Sequence, residues 1–116
     1  MYQIKRKKLF TEQLKISNPD GKELIIDVEL SLDTQLREFE SKYRNIEIIN
    51  SHINAGTATY SQLGQGVIDL MEVVFGKLNT QKLISFYTGN YIEMIQDIMP
   101  FITDVVKPEF DKQKQE

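Results

Sequence analysis

The chain has 116 residues, of which 41% are hydrophobic and 27% are charged, and it carries a formal net charge of −3 at pH 7. This length and composition predict a single globular domain over residues 1 to 116, because domains commonly contain about 100 to 150 residues. The lack of cysteine excludes disulfides, thiolate catalysis and cysteine-ligated zinc. The net negative charge disfavours wholesale binding of nucleic acid, whose phosphates are neutralised mainly by many Lys and Arg side chains.

The first ten residues contain a basic block, Lys5, Arg6, Lys7 and Lys8. The apolar core of a secretory signal does not follow this block, and the longest apolar runs are far shorter than the roughly 20 residues of a membrane span. We therefore expect a cytoplasmic protein without membrane contact. Two interpretations of the block stay open. Its lysines discourage pairing at a strand edge, or they form a small adaptor surface for an acidic protein or nucleic acid.

Residues 12 to 30 have the pattern of a β-hairpin. Its centre, Asn18-Pro19-Asp20-Gly21, is a strong turn signal, because Pro presets the backbone angle at the second position and Gly supplies freedom at the fourth. Because an isolated hairpin is marginal in water, we expect its apolar face to pack on helices, with residues 2 to 10 as a candidate third strand. That face comprises Leu14, Ile16, Leu24, Ile26, Val28 and Leu30.

A long helix is predicted directly after the hairpin. Its apolar residues recur in steps of three and four from Leu32 to Ile53, which defines one helical stripe. Ser31 and Asp33 are candidate caps at its start. Asn54-Ala55-Gly56 ends it, since Asn and Gly both tolerate left-handed backbone angles.

A second helix is predicted to begin near residue 60. Thr59 or Ser61 is its candidate cap, and Gly76 stops it. Gly64 and Gly66 lower its intrinsic helicity by up to about 1 kcal/mol each relative to Ala. We interpret these two glycines as positions of close helix packing.

Two further helices are predicted from their start and stop signals. Asn79 is the candidate cap of a short third helix, which Gly89 ends. Asn90 is the candidate cap of a fourth helix that begins at Tyr91. The predicted fold is therefore α+β and mainly α, with a hairpin region at residues 1 to 30 and a bundle of about four helices at residues 31 to 110.

The fourth helix is the most apolar segment of the chain. Pro100 predicts a kink or break near Ile98 and Met99, because proline lacks an amide donor and crowds the preceding turn. Lys107-Pro108 is expected to close the ordered region, and residues 111 to 116 form a frayed polar tail. Its apolar residues fall into two stripes, one with Ile92, Ile95, Met99, Ile102 and Val106 and the other with Met94, Ile98, Phe101 and Val105.

The residues that could carry catalysis lack the partners that catalysis needs. His52 is the only histidine, and it stands without the additional ligands of a metal site or the neighbouring groups of a catalytic base. Gly64-Gln65-Gly66 resembles the start of a dinucleotide-binding loop, but Asp69 occupies the place of its third small residue. We therefore predict a non-enzyme that uses no cofactor or metal.

A set of aromatic and methionine side chains in the last third of the chain is the candidate partner-binding surface. Methionine adapts to irregular partners and aromatic side chains dominate interface anchors, so such a set suits an amphipathic helix. Packing in the core is the alternative for each of them. The set comprises Tyr87, Tyr91, Met94, Met99 and Phe101.

The C-terminal half also carries a family resemblance. Phe75-Gly76 stops a helix, residues 83 to 87 form a short helix, Gly89-Asn90-Tyr91 is a junction, and residues 92 to 106 form a final apolar helix. This order resembles the small tail assembly chaperones of long-tailed bacteriophages and prophages of Gram-positive bacteria.

The resemblance implies a non-catalytic protein of the bacterial host cytoplasm. Its implied partner is the long helical tape measure protein, which such chaperones keep soluble until tail tube subunits assemble around it. The tail tube protein is a further implied partner, and self-association into a homo-oligomer stays open. Exposed apolar helix surfaces, which are a liability in a free protein, would be covered by the partner.

Overall fold

The computed structural model describes residues 1 to 6 and 9 to 114. It confirms the predicted α+β, mainly helical fold, in which a two-stranded antiparallel hairpin precedes four helical rods. The molecule measures 59 × 40 × 21 Å along its principal axes, and the shortest of these is only about two helix diameters. The elements, in chain order, are β1 (Phe10–Ser17), β2 (Glu23–Leu30), α1 (Leu36–Asn54), α2 (Tyr60–Phe75), α3 (Lys77–Phe86), α4 (Tyr91–Phe101), a π-helical turn (Ile102–Val106) and α5 (Lys107–Lys114).

The hairpin forms at the predicted turn. The Gly21 amide donates to the Asn18 carbonyl at 3.0 Å, and the Asn18 amide donates to the Lys22 carbonyl at 2.8 Å. Gly21 has a φ of +90°, in the left-handed region that glycine favours. The third strand predicted over residues 2 to 10 is wrong for the described part of that segment, where residues 1 to 6 form no strand; Lys7 and Lys8 lie outside the described residues.

The two strands differ in how deeply their apolar side chains are buried. Ile26 and Val28 of β2 are buried, whereas Leu14 and Ile16 of β1 are half-buried. The register pairs Leu14 with Ile26, so both strands direct apolar residues to the same face. β2 packs on α2 and α3, and β1 is the outer strand of the hairpin.

The first helix begins later than its apolar pattern indicates. α1 starts at Leu36 with Gln35 at its N-cap position, so the predicted caps Ser31 and Asp33 are wrong. The Ser31 amide instead donates to Gln35 Oε1 at 2.8 Å, and the Ser31 hydroxyl donates to Asp33 at 3.1 Å. These bonds stabilise a turn before the helix, because short polar side chains compete with helical hydrogen bonds.

The second helix begins as predicted. Thr59 is its N-cap, and its hydroxyl accepts from the Gln62 amide at 3.2 Å. Gln62 Oε1 in turn accepts from the Thr59 amide at 2.8 Å. This capping box satisfies two backbone donors at the helix start.

The junctions around α3 confirm one predicted cap and correct another. α3 begins at Lys77, directly after Gly76, so Asn79 is the third residue of the helix and not its cap. Gly76 has a φ of +81°, which lets the chain end α2 and begin α3 at the same residue. The Asn90 cap of α4 is confirmed, since its side-chain oxygen accepts from the Glu93 amide at 3.2 Å.

The last helical rod continues through both prolines. Pro100 lies inside α4, and of the kink or break predicted near Ile98 and Met99 the break is wrong, because α4, the π turn and α5 follow one another without a gap. Pro108 is the second residue of α5 and directly follows the π turn and Lys107, so it removes one amide donor from the rod without ending it. The predicted end at Lys107-Pro108 and the frayed tail are therefore wrong as far as residue 114; residues 115 and 116 lie outside the described residues.

The π turn explains how the rod buries one continuous row. In an α-helix each residue advances about 100°, so a spacing of four overshoots one turn by about 40° and four such steps would turn the row by about 160°. The wider π turn, in which the Lys107 amide donates to the Ile102 carbonyl, reduces this excess. The buried row therefore draws on both predicted stripes and contains Met94, Ile98, Ile102, Val106 and Phe110.

A close approach of α1 and α2 centres on Gly66. A Cβ placed on this buried glycine would lie 3.3 Å from Ile49 Cδ1 and 3.6 Å from Ile46 Cγ1. This confirms that Gly66 permits close packing. None of the helices in the described ranges has both the length and the apolar composition of a membrane span.

Candidate partner-binding surface

Two of the five predicted partner-binding residues belong to the core. Met94 has 0% exposure and opens the buried row of the last rod. Tyr87 is also buried, and its hydroxyl donates to Asp97 Oδ2 at 2.9 Å, which joins the end of α3 to α4. A partner cannot reach Met94 or the ring of Tyr87 in this fold, so we correct their assignment to internal packing.

Burial and Asp97 both affect the acidity of Tyr87. Burial raises the pKa of its hydroxyl, and the hydrogen bond to Asp97 raises the pKa further, with a smaller contribution from the negative charge of Glu93. Each effect disfavours the phenolate. The neutral hydroxyl is thereby kept as a donor to Asp97.

The other three predicted residues lie nearer the surface. Tyr91 is 46% exposed at the start of α4, and Met99 is half-buried. Phe101 is half-buried too, but its ring centroid lies 6.0 Å from that of Phe75 in a stacked arrangement, so it packs on the end of α2. Tyr91 and Met99 are therefore the predicted residues that remain best placed to meet a partner.

Gly64 marks the point where α2 meets α4. A Cβ placed on Gly64 would lie 4.0 Å from Ile95 Cδ1. Tyr60 and Ile68 lie four residues before and after Gly64, on the same side of α2, while Ile92 and Met99 lie three residues before and four after Ile95, on the same side of α4. The contact thus joins two apolar rows, which we call the α2/α4 face: Tyr60, Gly64 and Ile68 with Ile92, Ile95 and Met99.

This face includes large apolar side chains in contact with solvent. Tyr60 is 77% exposed and Ile92 is 73% exposed, while Ile68, Ile95 and Met99 are half-buried. Ile92 belongs to one of the predicted apolar stripes. Tyr60 was not predicted, because it lies between the two candidate caps Thr59 and Ser61. The sequence does place Tyr60 four residues before Gly64, on the same side of the helix. That spacing indicates a surface residue of this face only once α4 is known to pack at Gly64.

A polar cleft between α1 and α5 has a volume of about 160 Å³. Lys107 Nζ lies 2.9 Å from Asp111 Oδ2 and 5.5 Å from the centre of the Tyr43 ring, and Lys114 Nζ lies 3.1 Å from Glu40 Oε1. The hydrogen bond to Asp111 raises the pKa of Lys107. The ion pair of Lys114 with Glu40 and the contact of Lys107 with the Tyr43 ring join α5 to α1.

His52 and the described part of the basic block are exposed. His52 is exposed in the last turn of α1. The part of the chain that the structure describes contains no cluster of three His, Asp or Glu residues placed to hold a metal. In the basic block, Lys5 and Arg6 are exposed, whereas Lys7 and Lys8 lie outside the described residues, so the adaptor interpretation stays a prediction.

Comparisons with protein-family models, with curated proteins and with solved structures found no match to this chain. The geometry of the α2/α4 face and the order of motifs in the sequence are therefore the features that bear on function.

Proposed function

We propose that this protein is a non-catalytic phage tail assembly chaperone that binds the helical tape measure protein through the α2/α4 face. The observation that carries the proposal is the exposure of Tyr60 on α2 and of Ile92 on α4, the two helices that meet at Gly64 and Ile95. Single exposed apolar residues are ordinary on protein surfaces, but apolar side chains grouped across two helices are typical of a binding site.

The shape of the face suits a helical partner. Gly64 has no side chain and lies between Tyr60 and Ile68 in the α2 row, so α4 approaches α2 closely there through Ile95, and the apolar rows of the two helices adjoin. The side chains of a helix recur every three or four residues, and they fit between rows that have the same spacing. Burial of apolar area would supply most of the affinity, at roughly 25 cal/mol per Å² before the costs of association.

A chaperone of this kind needs little more than an exposed apolar surface that fits a helix. A long amphipathic helix aggregates when its apolar stripe is exposed, and a protein that covers the stripe keeps it soluble. The fold has the rigid elements for such a surface, because α2 begins with a capping box and α4 begins with the Asn90 cap. The resemblance of the Gly89-Asn90-Tyr91 junction to tail assembly chaperones supports the identity of the partner.

Substitution of Ile92 tests the proposal. We expect Ile92→Asp to weaken binding to a purified helical fragment of the tape measure protein by at least about tenfold, or about 1.4 kcal/mol. Because Ile92 is exposed, the free energy of unfolding of the Ile92→Asp variant should stay within about 0.5 kcal/mol of the wild-type value. Titration calorimetry would measure the binding, and urea unfolding would measure the stability.

Leu78 provides the matched control. Its side chain is 72% exposed, nearly the same fraction as that of Ile92. Leu78 belongs to α3, however, and lies outside the α2/α4 face. Leu78→Asp should bind the fragment as the wild type does. Equal affinities for wild type and Ile92→Asp, or equal losses for Ile92→Asp and Leu78→Asp, would refute this assignment of the face.

A further inference from the structure

The helices that form the α2/α4 face carry charges of one sign. α2, α4 and the π turn contain acidic residues and neither Lys nor Arg. On α1, by contrast, Arg37, Lys42 and Arg44 are interspersed with acidic residues. The acidic residues of α2, α4 and the π turn are Asp69, Glu72, Glu93, Asp97 and Asp104.

Three of these carboxylates lie beside the apolar rows. Glu72 lies four residues after Ile68 and so extends the α2 row, whereas Asp69 and Glu93 lie about 100° further round their helices than Ile68 and Ile92, the residues that they follow. Asp97 is different, because it accepts the hydroxyl of the buried Tyr87. The boundary of the face is therefore acidic at both helices.

Within residues 1 to 6 and 9 to 114, none of these three carboxylates forms an ion pair, and two of them accept hydrogen bonds from polar side chains. Asp69 accepts from the Gln65 side chain at 2.9 Å, and Glu93 accepts from the Asn90 side chain at 3.1 Å. The ion pairs of the described chain instead lie on the hairpin, within α5 and between α5 and α1. The negative charge beside the face is therefore available to a partner.

We propose that the α2/α4 face selects an amphipathic helix whose apolar stripe is flanked by Lys and Arg, an inference that rests on the proposed function. Apolar contacts hold such a helix, and the flanking cations determine which helices are accepted. Complementary charge mainly increases specificity and the association rate. Exposed charges are screened within about 10 Å at 0.1 M salt, so the selectivity should fall as salt rises.

Two designed peptides test the inference with the full chain. Both have the same leucine stripe on a 20-residue helix; one carries Lys and the other Glu beside the stripe. We expect the Lys peptide to bind at least about tenfold more tightly than the Glu peptide at low salt, with a smaller ratio at high salt. Fluorescence anisotropy of labelled peptides would give both dissociation constants.

A triple variant locates the origin of the preference. Asp69→Asn, Glu72→Gln and Glu93→Gln together should reduce the ratio between the peptides to about twofold or less, since the complementary charge is removed. The matched control is Glu29→Gln, Glu38→Gln and Glu47→Gln, which makes the same charge change at exposed positions of the hairpin and α1. This control should keep the preference.

The outcomes separate the inference from the proposed function. Equal binding of both peptides by the wild type would overturn the inference and leave the helix-binding role intact. Binding of neither peptide would overturn both. Self-association of the chain that disappears when Lys5 and Arg6 are neutralised would show that a second copy occupies the acidic boundary, and would overturn the choice of a basic helical partner.

Discussion

Phe39 of α1 and Phe110 of α5 stack with ring centroids 4.3 Å apart and planes 14° apart. Both rings are buried, so the C-terminal helix is part of the core. The ion pair between Lys114 and Glu40 lies beside this stack and joins the same two helices. The first and last helices therefore hold each other in place, although most of the chain separates them.

Substitution of Phe110 should reveal this contribution. We expect Phe110→Ala to lower the free energy of unfolding by about 3 kcal/mol, because it removes a buried ring and leaves a cavity. Urea unfolding followed by circular dichroism would measure the change. Lys112→Ala is the control in the same helix; its ion pair with Glu109 is exposed, so it should cost less than about 0.5 kcal/mol. A Phe110→Ala protein as stable as the wild type would show that the stack of Phe39 and Phe110 does not stabilise the fold.

The two asparagines near α3 and α4 form a second test. Asn90 caps α4, whereas Asn79 lies inside α3. We expect Asn90→Ala to cost about 1 kcal/mol of unfolding free energy, since a backbone donor loses its acceptor. Asn79→Ala should cost nothing or stabilise slightly, because Ala has the higher helix propensity. Thermal unfolding would compare the two, and the opposite order would contradict the assigned helix starts.

Local signals in the sequence were sufficient where one turn or cap decides the structure. The Asn18-Pro19-Asp20-Gly21 turn, the Thr59 cap and the Asn90 cap all depend on hydrogen bonds between residues that are near neighbours. Such interactions form largely independently of the rest of the chain. The hairpin and the starts of α2 and α4 could therefore be predicted.

The burial of single apolar residues could not be predicted in the same way. Met94 and Ile92 are two residues apart and equally apolar, yet Met94 is buried in the core and Ile92 is exposed. Their difference arises because α2 and α3 cover one side of α4 only, and local periodicity does not specify those neighbours. For the same reason local sequence predicts a kink or break at Pro100 and an end at Lys107-Pro108, whereas in the folded chain the helical rod continues through both prolines.

The two glycines of α2 should respond differently to alanine. We expect Gly64→Ala to raise the free energy of unfolding by up to about 1 kcal/mol through helix propensity, because its new Cβ would make an ordinary contact 4.0 Å from Ile95 Cδ1. Gly66→Ala should gain less, since Ile49 must shift to relieve a contact of 3.3 Å. Urea unfolding of both variants would compare them. Equal increases in the free energy of unfolding would show that a Cβ at position 66 fits between α1 and α2 without strain.

Removal of the Tyr87 hydroxyl should change stability at alkaline pH. Because burial and Asp97 raise the pKa of Tyr87 in the folded protein, the folded state keeps this proton above the ordinary tyrosine value of about 10, at which the unfolded chain releases it. The resulting stabilisation is present below about pH 10 and is lost as the pH rises through the folded-state pKa. Stability should therefore fall more steeply above about pH 10 in the wild type than in Tyr87→Phe.

The comparison with Tyr87→Phe also isolates this group from the lysines. The pKa of Lys107 is raised as well, but Lys107 is present in both proteins and its contribution cancels. At neutral pH, Tyr87→Phe should cost about 1 kcal/mol of unfolding free energy, because Asp97 loses one hydrogen bond.

The titration of Tyr87 can be followed directly by the ultraviolet absorbance of tyrosinate, because the chain has no tryptophan. The Tyr87→Phe variant should lack the titration step that lies above the ordinary pKa of tyrosine. Asp97→Asn keeps the ring buried and removes the charge, so it should move the pKa of Tyr87 partly back. Identical pH profiles for wild type and Tyr87→Phe would refute the coupling between α3 and α4 through this hydroxyl.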